Sequence, residues 1–128
     1  WVQDMPADFR IAYPKCLAEY REASKILSQE LAGAIYAEDL KEMGADFFET
    51  LFAPALKIAQ ERDIPLYCGE YGVIDLADND SKIRWAADIC SVFNKYGIGR
   101  AYWNYKGKDY GIVDIPDVAV QKQLAQKL

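Results

Sequence analysis

A chain of 128 residues, about half of them apolar and about a quarter charged, fits one ordinary domain with a core of its own. The net charge of −5 and the lack of any Lys/Arg cluster argue against a nucleic-acid partner, and no apolar run approaches the ~18 residues of a membrane span. There is no histidine, which removes Ser-His and Cys-His nucleophiles and the usual zinc sets within this chain and leaves carboxylates, aromatics, lysine and tyrosine for chemistry.

The three cysteines, Cys16, Cys68 and Cys90, have no metal-ligand spacing. Their odd number leaves at least one unpaired or bonded to another chain, and Cys68 and Cys90 read as small core residues. No cofactor is expected. The first residue is Trp1, as expected of a segment, so the lack of a signal peptide says nothing about secretion.

In chain order, residues 1–14 lack helical or strand period and contain two prolines, which predicts a long irregular loop. Leu17, Tyr20, Ala23 or Ser24, Leu27 and Leu31 keep helical spacing over residues 17–31, and Gly33 ends the run or loosens it. Residues 34–43 read as a loop or a short helix. The strongest helical period lies in residues 46–63, where Phe48, Leu51, Phe52, Ala55, Ile58 and Ala59 form one apolar stripe. Asp46 and Glu49 suit its positive end, Pro54 is expected to kink it or restart it, and its aromatics are assigned to the core.

Residues 64–74, IPLYCGEYGVI, begin with a proline-led apolar run of strand character that ends in a carboxylate between two glycines, Gly69-Glu70-Tyr71-Gly72. A charge at the carboxyl end of a buried strand is costly without a task or a partner, and in parallel α/β folds that end is where sites are built. Glu70 is therefore the first candidate for chemistry; the alternative is a structural carboxylate capping the strand or paired to an arginine. Asp78, Asn79, Asp80 and Ser81 can each cap the next helix, residues 82–96, which carries Ala86, Ile89, Cys90 and Phe93 on one face and stops at Gly97. Trp85 falls in that period and is assigned to packing.

A second strand is expected over residues 98–105, IGRAYWNY, and Pro116 opens a final helix over residues 117–127 with Val118, Ala119, Leu124 and Leu128 apolar. Strands alternating with helices predict parallel βα units. On strand alternation the inner sheet face should carry Leu66, Cys68, Ala101 and Trp103, while Arg100 points away from Trp103 and Tyr71 from Glu70. Lys106 and Arg100 are the candidate positive neighbours of Glu70.

GEYG, followed at a helix-length spacing by YWNYK and YGIVD, resembles the last two strands of family 5 glycoside hydrolases, the retaining cellulase-type barrels. The resemblance extends from the first residues to about Asp114. It implies strands 7 and 8 of a (β/α)8 barrel over residues 17–128, preceded by an active-site loop in residues 1–16. It also implies Glu70 as the catalytic nucleophile, with Trp103, Asn104, Lys106 and Trp1 contacting a β-glucan or oligosaccharide substrate. Retaining chemistry needs a second carboxyl group about 5–5.5 Å from the first, and the resemblance places that acid/base in an Asn-Glu pair on the fourth strand, which is not in this chain. A barrel of this type takes about 250 residues, so the missing half is an expected partner and self-association a second one.

Three functions follow: a β-1,4-glucan-type retaining hydrolase, an inactive half-barrel that at most binds sugar, and an unrelated βα enzyme with Glu70 as a lone acid.

Overall fold

The computed structural model describes residues 11–15, 17–24 and 42–128. In order these form helix α1 (Leu17–Ser24), helix α2 (Ala45–Arg62), strand β1 (Tyr67–Tyr71), helix α3 (Asn79–Tyr96), strand β2 (Gly99–Tyr102), a 3-10 turn (Ile112–Asp114) and helix α4 (Val118–Ala125). The two strands pair in parallel, Tyr67 beside Gly99, Cys68 beside Arg100 and Tyr71 beside Tyr102. A parallel pair needs a crossover, and α3 provides it.

The ends of α3 follow from local chemistry. The Asp78 carboxylate accepts the Ser81 N–H at 2.8 Å, so one of the four expected caps is used and the helix starts at Asn79. At the other end Gly97 takes φ 64°, a left-handed conformation that closes the helix without Cβ strain.

The core lies between α2, α3 and one face of the strands. Tyr13, Phe48, Tyr71, Ile89, Cys90, Val92, Phe93 and Ile98 are buried together. Phe52 stacks on Phe93 with ring centres 5.5 Å apart, Tyr71 meets Phe93 edge-on at 5.0 Å, and Trp85 meets Phe48 edge-on at 5.7 Å, so Trp85 is a packing residue as expected. A second cluster of Ala86, Ile115 and Leu124 seats α4 on the far side of α3.

The structure corrects several expectations. The buried stripe of α2 runs through Ala45, Phe48, Phe52 and Leu56, while Leu51, Ala55 and Ile58 face outward; the true contact face is rotated from the one expected. α2 continues through Pro54, which sits on its exposed side. β2 ends at Tyr102, three residues before its expected end. In α4 the inward positions are Val120, Leu124 and the following Leu128, whereas Val118 and Ala119 are exposed. Asp117 caps that helix, accepting the Ala119 N–H at 2.8 Å, so Val118 falls on the outward side of its first turn.

The largest correction concerns the sheet. Leu66 and Cys68 pack against the helical core and not on the inner face with Ala101 and Trp103. The pairing register explains it: from Cys68 to Tyr71 β1 advances three residues while β2 advances two, from Arg100 to Tyr102. That extra residue is a β-bulge at Gly69-Glu70, and it inverts the alternation of β1 at its midpoint.

Candidate active site

Without the bulge, Glu70 would share a face with Cys68 and be driven into the apolar core. With it, Gly69 and Glu70 are both exposed in succession and Tyr71 turns inward. Tyr71 then faces its partner Tyr102 ring to ring at 5.4 Å on the core side. The residues flanking that pair, Glu70 on one strand and Ala101 and Trp103 on the other, are left on the open face. Glu70 and Trp103 thus sit at the carboxyl ends of adjacent parallel strands. Trp103 is 41% exposed, and its N–H donates to the Tyr71 carbonyl at 2.8 Å, which continues the strand pairing up to the aromatic side chain.

Gly72 is required by close approach. A Cβ there would run into the Trp103 carbonyl oxygen and lie 3.4 Å from the Tyr110 ring. Gly69 has room for a side chain, so of the two glycines around Glu70 only Gly72 is imposed by its surroundings.

After Trp103 the chain folds into a closed loop. The Trp103–Asn104 peptide bond is cis. Asn104 accepts the Ile112 N–H at 3.1 Å, Tyr105 accepts the Val113 N–H at 3.2 Å, and the Asp114 carboxylate accepts the Gly107 N–H. Asn104 is half-buried, with its Oδ1 enclosed and unpartnered among the described residues; Tyr105 and Lys106 are exposed. Trp1 lies outside the described residues.

Of the two expected positive neighbours, Arg100 is turned away. Its guanidinium donates to the Leu128 carbonyl at 2.6 and 3.1 Å and to Asn94 Oδ1 at 2.9 Å, and it lies over the Phe93 ring. The core phenols are unsuited to proton transfer near neutral pH. Burial raises the Tyr71 hydroxyl, reinforced by its contact with Cys90 Sγ at 3.5 Å, and burial also raises the Tyr102 hydroxyl. Glu70 is the one carboxylate carried by the two strands.

Two features escaped the sequence reading. Tyr67, 68% exposed, stands on the open face at the start of β1, where alternation from the core-facing Cys68 puts it. Lys82, in the first turn of α3, is buried. A lysine among cap residues at a helix start gives no periodic signal that separates it from a solvated one.

No protein-family model matches the chain. Endoglucanase C of Acetivibrio thermocellus is 40% identical over 75 residues, which is 59% of this chain and 22% of that protein. Cellodextrinase A of Ruminococcus flavefaciens is 42% identical over 59 residues, covering 46% of this chain and 18% of that protein. In three dimensions the chain superposes on Thermotoga maritima Cel5A, solved in complex with mannotriose, with a TM-score of 0.55 at 23% identity over 66% of this chain and 27% of that one. Part of the chain is similar in sequence to endoglucanases and takes the fold of the matching part of the solved structure. It spans about a fifth of the length of those curated relatives. The described part of the chain is α/β and rich in helix, and the solved structures it matches include a glycoside hydrolase.

Proposed function

We propose that this chain supplies the nucleophile part of a retaining β-1,4-glucan hydrolase, as strands 7 and 8 of a (β/α)8 barrel whose other strands carry the acid/base. The observation that carries this reading is the bulge in β1, which turns Glu70 out of the apolar core and onto the face and strand end that bear Trp103. The similarity to endoglucanases over 59% of the chain supports the same reading from an independent side.

In this mechanism the Glu70 carboxylate attacks the anomeric carbon as the leaving-group oxygen is protonated from outside this chain. The glycosyl ester is then hydrolysed by water. An ionised nucleophile suits a solvent-facing bulge and would be disfavoured in the core that the bulge avoids. Trp103 offers its ring to the C–H face of a sugar, with Lys106 and Asn104 as flanking polar groups.

The test is Glu70→Gln in the assembled enzyme. The amide is nearly isosteric but cannot form the ester, so turnover should fall at least about a thousandfold while oligosaccharide affinity is kept. Retention of most activity would remove Glu70 as nucleophile.

One observation favours a second reading for the chain by itself, an inactive piece that at most binds sugar: the strands carry a single carboxylate where the chemistry needs two. Assay of the isolated chain on a soluble cellulose derivative separates the two readings.

A further inference from the structure

The loop that follows Glu70 is held in an unusual way. Gly72, Val73, Ile74 and Ala77 line an open pocket of about 240 Å³ together with Tyr13, Trp85 and Tyr110. On that side the loop meets open space among the described residues, and polar contacts help to hold it. Two of these meet at one residue, Asp75. Its N–H donates to the Asp109 carbonyl at 2.7 Å, joining the loop after β1 to the loop after β2. Gly107, Lys108 and Asp109 all have positive φ, 74°, 58° and 61°, and this left-handed run shapes the turn that carries the Asp109 carbonyl. On the other side the Asp75 carbonyl accepts the Lys82 ammonium at 2.8 Å.

Lys82 is 4% exposed, and its ammonium makes one hydrogen bond among the described residues. Burying an ammonium for a single neutral acceptor is costly, and leucine or methionine would fill the same space more favourably. Burial lowers the Lys82 ammonium below the usual lysine range, against the opposing pull of Asp75 and Asp78. The ammonium is aimed at the carbonyl of the residue where the two loops meet.

We infer that Lys82 is a positioning residue: through the Asp75 peptide it locks together the two loops that frame Glu70 and Trp103. The inference rests on the reading of those two residues as the sugar site. It adds that their relative placement is set from the buried start of α3 and not by contact between the two side chains.

The test uses Lys82→Met, which keeps the volume of the side chain and removes the donor, with Lys82→Arg as the variant that keeps a cationic donor. Residue-resolved amide exchange on the 128-residue chain is the primary measurement. With Met, the Asp75 amide should exchange at least about tenfold faster, the size of one lost charge-assisted hydrogen bond, while the amides of Ile89 to Phe93 in α3 change less than about twofold. With Arg, protection at Asp75 should be largely restored. An unchanged Asp75 amide in the Met variant overturns the inference, and so does equal acceleration throughout α3, which would make Lys82 a stability residue only. Titration of the assembled enzyme with cellotetraose separates the inference from the reading beneath it. Weaker binding with Lys82→Met than with the unaltered sequence is the expected result, and equal binding overturns the inference. No binding by the unaltered assembled enzyme, with the exchange pattern as expected, counts against the sugar site and leaves the lock standing.

Discussion

At the scale of single residues, the site turns on which way two side chains face. Glu70 was legible as a candidate because a carboxylate between glycines at a strand end is chemically conspicuous, and Trp103 because it closes the next strand run. Their common face followed from alternation too; what was not legible is that Leu66 and Cys68 lie on the other one. Alternation counted from Leu66 puts Cys68 and Glu70 together, and only the pairing with β2 reveals the extra residue that separates them. A bulge is a property of two strands, so neither strand alone encodes it. Lys82 was missed for a related reason, since its burial is created by the loop that folds back over α3. The consequence for Trp103 can be measured. Its indole is half-exposed on the open face and takes no part in the aromatic clusters of the core. Trp103→Ala should therefore weaken oligosaccharide binding by about 1–3 kcal/mol through loss of the stacking area, with little change in stability. Calorimetric titration of the assembled enzyme checks it. Unchanged affinity with a lower melting temperature would assign Trp103 to packing.

At the scale of elements, helices were readable where their limits rest on local chemistry. Gly97 acts where its residue type says it should and Asp78 was one of four adjacent cap candidates, whereas the last helix opens at the Asp117 cap and not at Pro116. The faces of α2 and α4 were less readable, because Leu51, Ile58 and Val118 continue an apolar period that no element covers among the described residues. The Asp78 cap gives a prediction with a sign. Hydrogen bonding with Ser81 holds its carboxyl below the usual aspartate range. A carboxylate whose pKa is lowered on folding contributes stability above its unfolded value, about 3.9, and loses that contribution as pH falls through the lower folded value. Asp78→Ala should cost about 1 kcal/mol near neutral pH, the usual worth of such a cap. The difference in melting temperature between the two proteins should be full at pH 7, shrink below about pH 4, and vanish once the folded-state carboxyl is protonated. Thermal melts at fixed protein concentration across that range test it; a gap independent of pH would show that the capping charge contributes nothing.

At the scale of the whole molecule, the described sheet is unfinished. β1 and β2 pair with each other and, among the described residues, leave the outer edge of each without a partner. The face opposite the helices exposes Tyr67, Ala101 and Trp103 around Glu70. Unpaired strand edges template further pairing, and apolar surface is worth about 25 cal/mol per Å² when it is covered. The isolated chain should therefore associate with itself, most simply as a two-fold pair burying the open faces against each other. A net charge of −5 on each copy opposes this, but salt screens charge repulsion and leaves apolar burial in place, so raising the ionic strength should strengthen the association. Such a pair brings two Glu70 residues near one another without reproducing an acid/base set from a different strand, so little or no hydrolysis is expected from it. Sedimentation velocity over a range of protein and salt concentrations decides the matter. The expected result is a sedimentation coefficient that rises with both, and Tyr67→Lys, which places a charge on the open face, should lower it at equal concentration. A single compact monomer at every concentration, with a cooperative melt, would mean that the open face is stable in water without a partner.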